Sequence, residues 1–271
     1  MNKVSAGVAL VTGASSGIGY ATAAALLQAG YRVYGTSRKT PAAGPAGVAM
    51  RTADVRDDAS VARLIGDVLA EAGRIDLLVN NAGIGVTGGA EESSVAQAQA
   101  LFDVNVFGTM RMTRAALPAM RRQGAGRIVN ISSILGVIPA PYNAIYAASK
   151  HAIEGYSESL DHELRGFGIR VVLIEPAYTS TGFDAHGMTP DQPLAIYDEV
   201  RAQAERLMQR GVTAGDPPDI VAQTVLKAAR AATPKLRYTA GKMAGRVRLL
   251  RRFVPESAFD KSLRKQAGLP A

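Results

Sequence analysis

Cysteine is missing from this sequence altogether, which excludes disulfides, thiolate metal sites and a thiol nucleophile. Histidine is scarce. The three present, His151, His162 and His186, share no spacing that would converge on a zinc ion, so no metal site is expected, and His186 reads as an ordinary loop residue. No apolar run reaches the ~18 residues that a membrane-spanning helix needs. The lone Lys3 and the short run Ala6 to Val11 read as the approach to a first strand, not a signal peptide, and a soluble, cytoplasmic protein is expected. Acidic residues are sparse between Lys242 and Lys265, where eight bases face only Glu256 and Asp260. That stretch carries +6 of the chain's net +8, so it is a local basic tail and not the mark of a basic protein. Nucleic acid is therefore not an expected partner.

With 47% hydrophobic and 20% charged residues over 271 positions, the chain can bury a sizeable core, and it suits one large domain over 1–271. Val8 to Val11 is a short apolar run that ends in Thr12-Gly13-Ala14-Ser15-Ser16-Gly17-Ile18-Gly19, after which Ala21 to Ala29 is rich in helix formers. Strand, glycine turn and helix start together form an anion site, because glycine lets the backbone approach a pyrophosphate and the helix start offers free N–H groups. Gly13, Ser15, Ser16, Gly17, Ile18 and Gly19 are the expected cofactor-binding residues of this turn. Tyr31 to Ser37 reads as a second strand and ends at Ser37, Arg38 and Lys39, with no acid. An acid there would hold the free hydroxyls of NAD, whereas a base accommodates the extra phosphate of NADP, so NADP(H) is the expected cofactor. Two solvated loop bases are the alternative.

Val48 to Asp54 reads as a third strand, with Asp54 and Val55 placed to meet an adenine edge. Asp57 to Ala72 is an amphipathic helix. Ile75 to Val79 is apolar throughout, as a central parallel strand requires, and ends in Asn80-Asn81-Ala82-Gly83, where Asn81, Ala82 and Gly83 are expected both to tie strands together and to touch cofactor. Ser94 to Arg122 reads as one long helix containing Asn105, which is either a core amide or a functional one. Arg127 to Ser133 reads as the fifth strand, Asn143 to Phe167 as a helix and Arg170 to Glu175 as the sixth strand, closed by Pro176. Asp219 to Ala232 reads as a helix and Lys235 to Tyr238 as a short last strand. The alternation predicts a Rossmann-type doubly wound parallel sheet of about seven strands flanked by helices. An insertion over about 182–215, with a helix near Leu194 to Met208, is expected to serve the substrate.

Within Ser133 to Lys150, Tyr146 and Lys150 lie four residues apart, on one face of a helix and one turn from each other. A free phenol titrates near ~10, and a fixed cation beside it favours the phenolate, which makes Tyr146 a workable proton donor. Ser133 arrives from the preceding strand, and its hydroxyl is placed to hold a carbonyl oxygen. Spacing alone is weak evidence. Tyr238 and Lys242 share it, with Gly241 between them and no upstream serine, and read as a strand end running into a loop.

Taken together, Thr12-Gly13 through Gly17 and Gly19, Asp54, Asn80-Asn81-Ala82-Gly83, Asn105, Ser133, Tyr146 and Lys150 resemble the short-chain dehydrogenase/reductase family over about Val8 to Thr181. The resemblance implies that Tyr146 donates or accepts the proton and Lys150 holds the nicotinamide ribose and lowers the phenol pKa. It also implies that Ser133 orients the carbonyl and that Asn105 supports a proton relay through water. Pro176, Thr179 and Thr181 correspond to the family's cofactor-binding segment after the sixth strand, except that Ala177 stands where glycine is usual and Thr179 where an aliphatic is usual.

An apolar wall of Ile134, Leu135, Val137, Ile138, Tyr142, Phe183 and Met188 suggests a hydrophobic ketone, aldehyde or alcohol, and the same residues are compatible with plain core packing. The alternatives are a 3-oxoacyl thioester on an acyl-carrier protein and a protein that binds NADP(H) without turnover. A homo-oligomer, dimer or tetramer, is expected. For the tail, about 242–265, the leading expectation is packing over the cleft or at a subunit interface. Contact with an anionic membrane surface or an acidic carrier protein stands behind it.

Overall fold

The computed structural model describes residues 6–39, 43–183 and 187–269, so His186 lies outside the described residues. The chain runs β1 (Val8–Val11), α1 (Gly17–Gln28), β2 (Arg32–Ser37), β3 (Ala49–Thr52), α2 (Asp58–Ala72), β4 (Leu77–Asn80), α3 (Val95–Phe102), α4 (Gly108–Gln123) and β5 (Gly126–Ile131). There follow α5 (Ala144–Leu164), β6 (Ile169–Pro176), α6 (Asp198–Thr213), α7 (Pro218–Arg230), β7 (Arg237–Ala240), α8 (Lys242–Phe253) and α9 (Glu256–Gln266). All seven strands pair in parallel, in the order β3-β2-β1-β4-β5-β6-β7. The order reverses between β1 and β4, the switch point at which open sheets of this kind leave a crevice beyond the carboxyl ends of their strands.

Strand side chains alternate between the two faces, and each face builds its own core. Leu10, Leu78, Ile128 and Val171 face α2, α4 and α5 through Leu64, Met112 and Leu160, while Ala9, Val79, Val129 and Val172 face α1 and α7 through Leu26 and Val225. Local chemistry sets several boundaries. Asp57 caps α2 by accepting from the backbone N–H groups of Ala59 (2.8 Å) and Ser60 (3.3 Å), and Gly73, with φ +73°, ends it.

Three expectations are corrected. The stretch Ser94 to Arg122 is not one uniform helix: a π-helical turn over Asp103–Phe107 separates α3 from α4. The wider turn carries Asn105 into side-chain contact with the segment after β4 and with α5. The fifth strand stops at Ile131, so Ser132 and Ser133 stand just beyond it and Ser133 starts a short 3-10 turn, accepting a hydrogen bond from the Leu135 N–H (3.1 Å). The second tyrosine–lysine pair does not enter a loop, because Gly241, with φ +88°, turns β7 directly into α8 at Lys242.

The 182–215 segment is anchored on α3 and on a buried acid. The Gln97 side chain donates to the Thr189 carbonyl (2.7 Å), and Ser94 donates to Asp191 through its backbone N–H (2.8 Å). Glu92, wholly buried, accepts from the backbone of Gly89 (2.7 Å) and Leu194 (3.0 Å) and from Arg201 of α6.

Candidate active site

The glycine turn between β1 and α1 is held from two sides. Thr12 Oγ1 accepts from the N–H groups of Asn81 (2.9 Å) and Ala82 (3.0 Å), and Asn81 Nδ2 donates back to the carbonyls of Thr12 (2.9 Å) and Gly13 (3.2 Å). From β2, Thr36 accepts from the backbone of Gly13 and Ala14. The expected tying role of Asn81 is thus seen, and its amide hydrogens are spent on it. A Cβ at Gly19 would collide with the Gly13 carbonyl and the Asn81 amide, so only glycine lets α1 start this close to the turn. Gly17 has φ +53°, and Thr181 packs over it, which brings the segment after β6 onto the phosphate turn. Ser16 makes no side-chain cap bond at the start of α1, and no acid lies in the first turn. An uncapped, acid-free helix start behind a glycine cradle fits a dinucleotide pyrophosphate.

At the far end of the crevice, Ser37 is buried while Arg38 and Lys39 are exposed. Asp54 lies two residues beyond β3, and its carboxylate is gripped by Arg56, with Nη2 to Oδ2 at 2.7 Å and Nε to both oxygens at 3.1 Å. Those hydrogen bonds, helped by the charge of Arg38, hold the carboxyl below its ordinary range against partial burial. Arg56 therefore joins Arg38 at this corner. Sequence reading passed over it, although a base two residues after an acid at a strand end was a readable signal.

At the other end, Tyr146 and Lys150 stand in the first two turns of α5. Lys150 Nζ is buried, donates to the Ile131 carbonyl at the tip of β5 (2.9 Å) and lies 5.6 Å from the centre of the Tyr146 ring. Phe183 meets the other aromatic neighbour position, with its ring centre 6.0 Å from that of Tyr146. Asn105, also buried, donates to the Ile84 carbonyl (2.9 Å) and Ser149 Oγ (3.1 Å) and accepts from the Ile84 N–H (2.9 Å). Ser149 in turn donates to the Tyr146 carbonyl (2.7 Å). The asparagine side chain thus pins the segment after β4 to the helix turn that carries the tyrosine. Ser149 was not singled out from sequence, since a serine inside a helix carries no signal until its partner is placed.

The apolar wall divides. Ile134 and Ile138 are buried with Phe259, and Leu135, Val137, Ala177, Val247, Val254 and Leu263 pack around them. These residues form a core under the tail, the core-packing alternative for Ile134 and Ile138, and Ile138 also lines a cavity between that core and the tail helices with Val247, Leu250 and Phe259. The methyl of Ala177 belongs to that same core. Phe183 stays beside Tyr146, Met188 pairs with Val86, and Tyr142 adopts φ +61°, in the left-handed region, just ahead of α5.

Burial pushes the Lys150 ammonium down to about 8, and the charge of Glu154, one turn along α5, opposes the fall. Glu154 is itself buried and accepts from Arg237 Nε (2.8 Å). The same guanidinium lies 3.6 Å from buried Glu175, whose other partner is Arg248 of α8. Lys150 is thus linked through Glu154, Arg237 and Glu175 to the tail. In Glu154→Gln the ammonium loses its nearest counter-charge, so the alkaline limb of the rate profile is expected at lower pH than in the parent chain. An unmoved limb in a pH series of kcat would count against the link.

A family model described as short chain dehydrogenase matches residues 7–190. A 3-ketodihydrosphingosine reductase of Bacteroides thetaiotaomicron is 44% identical over 176 residues, which is 65% of this chain and 65% of that protein, so the match spans just under two thirds of the relative. Bovine retinol dehydrogenase 8 is 36% identical over 84% of this chain and 79% of its own. Among solved structures, a short-chain dehydrogenase/reductase of Burkholderia phymatum in complex with NAD superposes with a TM-score of 0.79 at 30% identity, covering 93% of this chain and 95% of that one.

Proposed function

We propose that this chain, which belongs to the short-chain dehydrogenase family and is an oxidoreductase acting between CH–OH and C=O groups, uses NADPH to reduce a hydrophobic ketone or aldehyde. The single observation that carries the reading is the meeting of Lys150, Tyr146 and the segment holding Ser133 at the tip of β5, beside a crevice whose two ends suit the two ends of a dinucleotide. A bound nicotinamide supplies the hydride. The protein's part is to place the carbonyl and manage its charge. As hydride reaches the carbon, negative charge grows on oxygen; the Ser133 hydroxyl steadies it and Tyr146 gives it a proton. The Lys150 ammonium, charged below about pH 8, stabilises the phenol oxygen as that proton leaves. Asn105 acts on this step as a positioning residue, by fixing the helix turn under Tyr146.

The apolar side chains of Phe183, Met188 and Tyr142 support a hydrophobic substrate, as do the lipid-like substrates named for two of the relatives. The test is loss of NADPH absorbance, with NADH in parallel, across apolar ketones, aldehydes and 3-oxoacyl thioesters. Turnover with NADPH on an apolar ketone or aldehyde is the expected result; turnover confined to thioesters, or silence from a protein that binds NADPH, would overturn it.

The preference for NADPH rests on Arg38, Lys39 and the lack of an acid at the end of β2. A charged hydrogen bond contributes about 1.5–3 kcal/mol, so Arg38→Ala is expected to weaken NADPH about 10- to 100-fold and to leave NADH nearly unchanged. Calorimetric titration of both cofactors checks this. Equal losses would make Arg38 a mere loop base.

A further inference from the structure

The helix α8 carries five bases, Lys242, Arg246, Arg248, Arg251 and Arg252, and no acid. Arg248 turns inward to pair with buried Glu175, while Arg251 and Arg252 stay exposed and lie over aromatic rings, Arg251 over Phe259 at 5.4 Å from its centre and Arg252 over Phe253 at 5.6 Å. Ala244 and Val247 turn inward as well. The face left to solvent is not a polar one. Met243, Leu249, Leu250 and Phe253 are 52%, 60%, 51% and 70% exposed, far more than their size would warrant on an ordinary surface. At 100° per residue these four fall on one arc of the helix together with Lys242 and Arg246, and Arg252 flanks it.

We propose that this outward face of α8 docks on the surface of an anionic lipid bilayer, its four large apolar side chains entering the acyl boundary while Lys242, Arg246 and Arg252 meet the headgroups. Charge selects this occupant. A second copy brought face to face would set the bases against their own kind, whereas a layer of negative headgroups above an apolar interior matches both parts of the face at once. The contact is a surface one, because no helix among the described residues is long and apolar enough to cross a membrane. Its inner side is continuous with the chemistry: α8 and α9 cover Ile134, which follows directly on Ser133, and Ile138, five residues beyond it, so docking sets this side of the site towards the bilayer.

The test is sedimentation of the full chain with vesicles of phosphatidylcholine containing phosphatidylserine, and with vesicles of phosphatidylcholine alone. It does not use activity, so it stands apart from the reductase reading. The expected result is binding to the anionic vesicles at low salt, release at high salt, and at least about tenfold less protein on the neutral ones. The surface variants Leu249→Ser/Phe253→Ser and Arg246→Glu/Arg252→Glu, with unchanged melting temperatures, are each expected to lower binding to anionic vesicles by at least about tenfold. Protein left in the supernatant with anionic vesicles at low salt overturns the proposal, and so does equal sedimentation of parent and variants. A dimer in solution that falls to monomer in Leu249→Ser/Phe253→Ser, without vesicle binding, would assign the face to a second copy instead.

Discussion

Tyr146→Phe is expected to bind NADPH as the parent chain does and to reduce ketones about 10²- to 10⁴-fold more slowly, the range that a positioned proton donor contributes. The substitution is a narrow one. It keeps the ring, so the packing against Phe183 at 6.0 Å and the approach of Lys150 Nζ at 5.6 Å to the ring centre both survive, as does the backbone bond from Ser149. Only the hydroxyl is lost. The oxygen that gains charge when hydride arrives then keeps the Ser133 hydrogen bond but has no group acidic enough to protonate it, and the alkoxide must wait for water. Cofactor affinity by fluorescence titration and the rate of NADPH consumption on a ketone that the parent reduces are the two readouts. A variant that keeps more than about a tenth of the parent rate would remove Tyr146 from the proton-donor role.

The largest loss of stability is expected from Asp161→Asn, far from the chemistry but on the helix that carries it. Asp161 is wholly buried near the end of α5, where Arg165 (2.6 Å) and Arg170 (2.9 Å) donate to its carboxylate, as does the Val171 N–H (2.9 Å) at the start of β6. It therefore clamps α5 to the sheet. An asparagine has one acceptor where the carboxylate has two and no charge to offset two guanidinium groups, and removing one partner of such a buried cluster costs about 3–5 kcal/mol. Urea midpoints at neutral pH measure the difference, and a loss below about 1 kcal/mol would contradict the clamp.

The same residue predicts a pH dependence. Burial alone pushes the Asp161 carboxyl upward, but the hydrogen bonds from Arg170, the Val171 N–H and Arg165 overcome it and hold the group at about 2. The unfolded chain titrates near ~3.9. Because the folded value is the lower one, the stabilisation is fully present above about pH 4 and is lost as pH falls towards about 2. The parent chain is expected to lose stability over that window more steeply than Asp161→Asn does.

Much of the architecture was legible because its causes are local. Val8–Val11 is a strand as read, and α2 begins at the residue after Asp57 and ends at Ala72, since a capping carboxylate, an apolar period of 3.6 and a following glycine all act within a few residues of each other. The turn from Thr12 to Gly19 was legible for the same reason. The π-helical turn around Asn105 was not, because its side chain is bound by Ile84 and Ser149, 21 and 44 positions away. Core packing of Ile134 and Ile138 and a tail laid over the cleft were both open readings, but that Phe259 is the residue buried with them was not legible, as it arrives more than 100 positions later. Arg237 was legible only as a position in the short last strand, and its joining of Glu154 to Glu175 appeared once β7 was placed beside β6.

The two tyrosine–lysine pairs separate what belongs to each level. By itself the sequence determined the strand and helix order, the glycine turn, and the fact that Tyr146 and Lys150 share one helix face, because each follows from torsions and periods that act over a turn or two of chain. It offered the same spacing for Tyr238 and Lys242. Only the tertiary structure decided between them: Lys150 is driven into the sheet edge against the Ile131 carbonyl, where burial lowers its pKa, while Lys242 stands exposed at the start of α8 and the Tyr238 hydroxyl accepts from the Lys235 N–H. Dielectric surroundings and partners are made by segments brought together from across the chain, and no local period encodes them.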